Sequence, residues 1–478
     1  MTTAVFTKGS TLRHVLTMTA ANAIGLITVF TVDLVDMYFL SLLGQEELAA
    51  AIGFSGTLLF FLTSVSIGML IAMGALVSRA EGMHNRALAG RYCSNVLLFS
   101  LLISLVMTFF GWLFLEELLR FLGARGKTLE LAMSYANILL PSTPILAVGM
   151  ACAAALRALG DARLSMWATV GAALVNACLD PIFIFVLGWG IEGAAVASVL
   201  ARVAIVVIAF HGIVYKHHLP TKTNFRSLWQ DLPAIMPIAG PAMLTNLATP
   251  IGSSFVLITM ARFGDSAVAG SAILGRLAPV AFAAIFALSG AIGPIIGQNA
   301  GNGRYDRVRR TLLDAQIFNM VYILLVWGVL WAISDMVIAS FNATGDAEML
   351  IRFYIQWLVP GFLFTGMMFI SNASFNNLNK AHFATVFNFC RVALGTVPLV
   401  LLFSGWWGAV GVMAGEIFSG IVFGILSFST VLWHIRKLDA EHRKLDVESC
   451  VEADTVQWAF SSPRAQLSGV TIKDDEKH

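Results

Sequence analysis

Two short stretches place acids where acids are costly. "LITVFTVDLVDMYFLSLLG" carries Asp33 and Asp36 three residues apart, and "VNACLDPIFIF" carries Asn176 and Asp180 four apart, with Pro181 directly behind the carboxylate. Residues three or four apart on a helix share one face, so each stretch presents its polar groups to one point. An acid in the middle of an apolar span costs roughly 2.5–3.5 kcal/mol on insertion scales, which makes each one a candidate for function. Pro181 removes a backbone donor and crowds the carbonyl four residues earlier, loosening the helix where the carboxylate sits. Carboxylate, amide and carbonyl oxygens together form the donor set of a hard cation. The plainer role for Asn176 and Asp180 is hydrogen bonding between helices. If Asp36 meets Asp180, the two charges cannot both persist in a dry site without a proton or Na⁺, and the pair becomes a coupling device. Asp33 alone could simply face an aqueous cleft.

The elements that carry these residues are membrane spans. With 58% hydrophobic and 12% charged residues among 478, and a mean hydropathy of +0.80, the composition lies outside the soluble range. Twelve apolar runs are long enough to cross roughly 30 Å of hydrocarbon: 15–43, 47–78, 92–115, 129–152, 163–187, 191–215, 233–262, 266–297, 311–334, 347–375, 383–404 and 409–434. The fold class is therefore all-α and polytopic. The organisation expected is a first six-helix bundle over 1–215, a linker over 216–232, a second bundle over 233–436, and a polar, disordered tail over 437–478. The first run is too long for a cleaved signal and is expected to be retained.

A net charge of +2 gives no basic patch for nucleic acid. The five cysteines show no CxxC spacing, so no disulfide framework or metal site follows from them. Loop charges alternate instead. Lys8 and Arg13, Arg79 to Arg91, Arg157 and Arg163, Lys216 to Arg226, Arg304 to Arg310, and Lys380 fall on one side; Glu46, Glu116, Glu192, Asp265, Asp335 and Asp346 fall on the other. By the positive-inside rule both termini are cytoplasmic, and the expected location is the inner (plasma) membrane.

The halves also resemble each other at a single, nearly constant offset. "SRAEGMHNRALAGR" at Ser78 matches "GQNAGNGRYDRVRR" at Gly297, "SYANILLPS" at Ser134 matches "FYIQWLVPG" at Phe353, and "WGIEGAAVAS" at Trp189 matches "WGAVGVMAGE" at Trp407. Six spans per copy is an even number, so the copies run the same way through the membrane, a plan in which transporters place the substrate path between bundles.

The order and spacing of several motifs resemble the multidrug and toxic compound extrusion (MATE) family. They are "VDxxxxxxLG" from Val35 to Gly44, "ALRALGDAR" at Ala155, "NxxxDPxFIF" from Asn176 to Phe185 and "GAAVAS" at Gly193. The likeness covers roughly Val15 to His434 and is closest to the DinF-like branch. It implies a V-shaped pair of six-helix bundles that exports organic cations or amphipathic compounds against Na⁺ or H⁺, with no cofactor beyond that ion. It also implies a cation site at Asp36, Asn176, Asp180 and Ser198, where Ser replaces the usual Thr, with Tyr135 lining the pocket. Small amphipathic substrates and the bilayer are the partners expected, and a monomer is the expected state.

Departures from the family pattern are specific. No proline precedes Asp36, and Arg202 lies one turn beyond Ser198, where it would weaken cation binding or pair with Asp33. On the seventh span Asn246 and Thr249 stand where some branches carry an acid, and Glu416 occupies the repeat position of Ser198 as a second group that could titrate. The alternatives weigh less. An enzyme lacks an inventory, with no HExxH or GxSxG. A flippase for lipid-linked sugars needs a more basic cavity, and a major facilitator needs a different loop after its second span. "GQNAGNGR" lacks the GK[ST] of a phosphate loop and reads as a turn. Asn342 heads a sequon on the outer side.

Overall fold

The structure, a computed structural model, describes residues 4–41, 46–341 and 343–461. Asn342 of the sequon, Gly44 of the first motif and the chain beyond Ser461 lie outside the described residues. Twelve crossings are present among the described residues: α1 (Thr11–Ser41), α2 (Glu46–Gly82), α3 (Arg86–Leu113), α4 (Gly126–Ala158), α5 (Ala162–Val186), α6 (Gly190–Lys216), α7 (Phe225–Phe263), α8 (Asp265–Ala281 and Ala283–Gly301, broken at Phe282), α9 (Tyr305–Ala332), α10 (Asp346–Asn377), and α11 (381–407) followed by α12 (409–461). The last two run continuously except at Gly408, which bends at φ 60°, ψ −138°. Beyond that bend Gly411 lies against the Phe403 carbonyl and Gly415 against Val400, the contacts of a tight antiparallel hairpin.

The duplication is visible in backbone geometry. Left-handed positions recur at the offset of the sequence repeat: His84 and Gly303, Gly126 and Gly345, Gly160 and Asn379, with Gly190 and Gly408 one step closer together. Such positions are rare for side-chain-bearing residues, so both halves turn their corners in the same way. Gly193 abuts the Phe183 backbone as Gly411 abuts that of Phe403. Each small residue lets a hairpin close without a Cβ between the helices.

The halves dock at the end carrying the basic loops. Gly82 of α2 packs on the Gln298 backbone and Gly301 of α8 packs on that of Arg79, two contacts that the internal repeat maps onto each other. The chain start seals this end: the Phe6 N–H donates to Gln298 Oε1 at 2.9 Å, and Gln298 Nε2 donates to the Ala158 carbonyl at 2.8 Å. Arg307 and Asn299 both donate to the Phe6 carbonyl. α1 runs along the second half, with Val15, Met18 and Ala21 among Leu288, Ala291 and Ile295, Ala23 against Ala284 and Ala287, and the Thr11 hydroxyl on Asp314.

Two sequence expectations need correction. The segment 216–232 is not all connector, because α7 begins at Phe225, where Asn224 and Ser227 form a reciprocal capping box. Asp231 is then held by Arg91 at 2.7 Å and Asn95 at 2.6 Å, so the first turns of α7 are pinned to α3. The tail from 437 is helical as far as Ser461. Its Leu, Lys, Glu and Arg residues favour helix, and Lys437–Glu441 and Asp439–Arg443 form i,i+4 pairs that carry α12 past the membrane.

Candidate functional site

The acids of the two opening stretches converge inside the first half. Asp180 is fully buried and Asn176 nearly so. The Asn176 Nδ2 donates to Asp180 Oδ2 at 2.6 Å and reaches Asp36 Oδ2 at 3.4 Å; Ser198 Oγ donates to Asn176 Oδ1 at 3.4 Å. One amide nitrogen thus reaches the carboxyl groups of both Asp36 and Asp180. Asp36 Oδ1 and Asp180 Oδ1 are buried without a hydrogen-bond partner, a costly state unless something else supplies the contact.

Local sequence explains how the donors are aimed. α5 is regular up to Pro181 and then widens into a π-helical turn over Ile182–Val186. Proline cannot donate to the carbonyl four residues back, and the wider turn accommodates it. The chain reverses at Gly188 and Gly190, both at positive φ, and Gly193 closes α6 onto Phe183. The short turn and close packing fix Ser198 beside Asn176.

Tyr135 of α4 packs beside this cluster, among Leu40, Ile184 and Ala194. Asp33 is exposed, one turn from Asp36. The proposed Arg202–Asp33 pair does not form: the Arg202 guanidinium donates to the Leu139 carbonyl at 3.0 Å and to Ser142 Oγ at 2.7 Å. The proline at 141 and the 3₁₀ turn Leu140–Ser142 open α4 at this point and offer those acceptors, so the arginine is satisfied there. Asn246 belongs to the other half, its amide donating to the Ala242 carbonyl of its own helix at 2.8 Å. Glu416 lies in a separate small cavity of the second half with Thr249, Ser253, Asn388, Arg391 and Thr396. Among the described residues no group of three or more His, Cys, Asp or Glu is assembled to hold a metal. The Asp36, Asn176, Asp180 and Ser198 side chains instead gather oxygens of the type that hard cations prefer.

A second feature lies between the halves, a largely apolar cavity of about 430 Å³ lined from α1, α2, α4, α5, α6 and α8. Arg157 is the charged residue on its wall. In sequence Arg157 counts as one more loop charge; the signal that could have found it is its position in "ACAAALRALG", still inside an apolar run.

A duplicated twelve-helix protein that clasps a cavity between its halves and buries acids inside one of them has the architecture of a secondary transporter. The family model described as MatE matches the chain twice, over residues 22–182 and 241–402, and the two starts are separated by the offset of the internal repeat. The chain belongs to this family, whose members are transporters and not enzymes. It is 28% identical over 425 residues to a protein of Shewanella oneidensis described as "FAD transporter", covering 87% of this chain and 93% of that one. It is 25% identical over 415 residues to the "Probable multidrug resistance protein YpnP" of Bacillus subtilis, covering 86% and 92%. A solved structure, "Outward-facing conformation of a multidrug resistance MATE family transporter of the MOP superfamily", superposes with a TM-score of 0.85 at 21% identity, over 92% of this chain and 99% of that one.

Proposed function

We infer that this protein is a secondary active exporter of small amphipathic compounds, driven by Na⁺ or H⁺ entering the cluster of Asp36, Asn176, Asp180 and Ser198. The observation that carries this reading is that the Asn176 amide gathers two carboxyl groups from distant helices, each with one buried oxygen left without a partner. Two acids gathered this closely both stay ionised only with a cation between them; otherwise one takes up a proton. One such site that loads and empties with conformation is a coupling device.

The proposed cycle is one of alternating access. On this reading the chain acts as a monomer in the plasma membrane with both termini cytoplasmic, and docking of the basic ends supports a state closed to the cytoplasm. An ion arriving from outside draws Asp36 of α1 toward the α5–α6 hairpin, and the substrate is released outward. Return requires the seam around Gly82 and Gly301 to part. One inward charge across 100 mV supplies about 2.3 kcal/mol, enough for a roughly fifty-fold gradient at one-to-one exchange.

Names of relatives support two substrate readings. The multidrug name of the Bacillus protein fits a large, mostly apolar cavity, and the name of the Shewanella protein fits export of an amphipathic metabolite. Both share the same coupling test. In proteoliposomes loaded with one cationic and one anionic fluorescent dye, an imposed Na⁺ or pH gradient should drive transport. Asp36→Asn and Asp180→Asn should each abolish the response to the gradient. Gradient-driven transport undiminished in both variants would remove the cluster from the mechanism.

A further inference from the structure

We propose that the cavity between the halves receives the anionic end of its substrate at Arg157, so that the transported compounds are amphipathic oxyanions, carrying a carboxylate or phosphate. The proposal rests on the exporter reading above and narrows its substrate class.

Arg157 ends α4 and lines two adjoining cavities. One is the 430 Å³ space whose walls are mainly Leu26, Val29, Met150, Ile205 and Phe286; the other is a smaller space shared with Ser289, Asn376 and Asn377. Its Nη1 donates to Ser165 Oγ at 3.0 Å. Among the described residues it has no ion-pair partner, because the acids of the surrounding turns are committed elsewhere. Asp161 holds Lys216 and His217, Glu81 holds Arg86, and Asp314 holds Thr11. A guanidinium drawn out of water without a counter-charge is unfavourable and keeps most of its five donors for an incoming acceptor.

The internal repeat sets a neutral residue beside this cation. Asn376 occupies the repeat position of Arg157 in the second half and lines the smaller cavity; it is 5% exposed and its Oδ1 has no partner. Arg157 thus offers a planar cation to one oxyanion, with apolar walls for the remainder of the molecule; the free Asn376 oxygen is an acceptor and adds no donor for the anion. Asp36 and Asp180 do not line this space, so the acids that in sequence suggest cationic substrates do not face the cargo. A cationic head would instead meet Arg157.

The test uses a pair of probes differing only in the oxyanion, riboflavin and riboflavin 5′-phosphate, with ethidium as the cation. Binding to the purified full-length protein in phosphatidylcholine nanodiscs is followed by probe fluorescence. The phosphate should bind at least tenfold tighter than riboflavin, the worth of about one charge-assisted hydrogen bond. Arg157→Gln should erase that preference while leaving riboflavin binding within twofold, and Arg157→Lys should keep most of it. Unchanged riboflavin binding also shows that the Gln variant is folded. A preference that survives Arg157→Gln, or tighter binding of ethidium than of the phosphate by the unaltered protein, overturns the proposal. Repeating the titration in discs containing phosphatidylglycerol separates the sources. Unaltered affinity assigns the site to soluble anions, whereas competition that disappears in Arg157→Gln upholds the oxyanion site and gives it to a lipid headgroup. Loss of coupling in the Asp variants is read independently, so failure of the charge preference leaves the exporter reading standing.

Discussion

Replacing Gly301 by alanine should tip the docked halves apart. A Cβ there would sit 3.0 Å from the carbonyl carbon of Arg79 and 3.2 Å from its Cα, and closer still to the carbonyl oxygen. All three are backbone atoms, so no rotamer change relieves the overlap and α2 and α8 must separate. Overpacking of this kind costs about 1–3 kcal/mol. The gain in helix propensity of Gly→Ala, about 0.5–1 kcal/mol, is common to both arrangements and does not bias them. The docked state should therefore lose population by roughly 5- to 150-fold relative to the parted one. Ser78 reports it, being fully buried in the seam against Gly297. With the native cysteines changed to serine and Ser78→Cys introduced, maleimide labelling in nanodiscs should accelerate by that factor when Gly301→Ala is added. Gly56→Ala, with open space around its Cβ, should leave the rate alone. Equal labelling with and without Gly301→Ala would refute the claim that this crossing sets the docked state.

Two further outcomes follow from the loops and kinks. Asp161 caps α5 through the Leu164 N–H and holds Lys216 and His217 at 2.6 and 2.8 Å; the His217 hydrogen bond foremost, with Lys216 and the backbone, holds its carboxyl well below the usual range. Its stabilisation is complete above roughly pH 4, where the unfolded carboxyl is ionised, and is lost as pH falls further. The melting temperature gap between the unaltered protein and Asp161→Asn should thus be flat from about pH 5 to 8 and shrink in acid, and Asp161→Ala should lose about 1 kcal/mol more at neutral pH through the missing cap. Pro181→Ala should restore a regular α5, raising the melting temperature while cutting ion-driven transport at least tenfold. A variant that gains stability and transports normally would show that the π turn is not needed to aim Asp180.

Much of this molecule was legible because apolar length and repetition are one-dimensional signals. The spans and the parallel duplication could be read from spacing and charge, whereas the meeting of Asp36 with Asn176 and Asp180 was implied by the family resemblance. Arg202 was misjudged because the carbonyl that claims it, on Leu139, is freed by a turn in another helix. The start of α7 was missed because Asp231 looks like loop until Arg91 and Asn95 of α3 are seen around it. Arg157 escaped notice because a cation at a helix end is ordinary, and only the cavity beside it and the distribution of nearby acids make it unusual.

The hairpin of α5 and α6 has a mechanical consequence. Asn176, Asp180 and Ser198 ride on one stiff unit whose two arms touch at Gly193 and Phe183, whereas Asp36 rides on a rod whose far end is bolted to the other half through Thr11 and Asp314. Occupancy of the cluster is thereby a gauge of how far that rod has slid. A tug at either end must be felt at the other, with no need for a relay of intervening side chains.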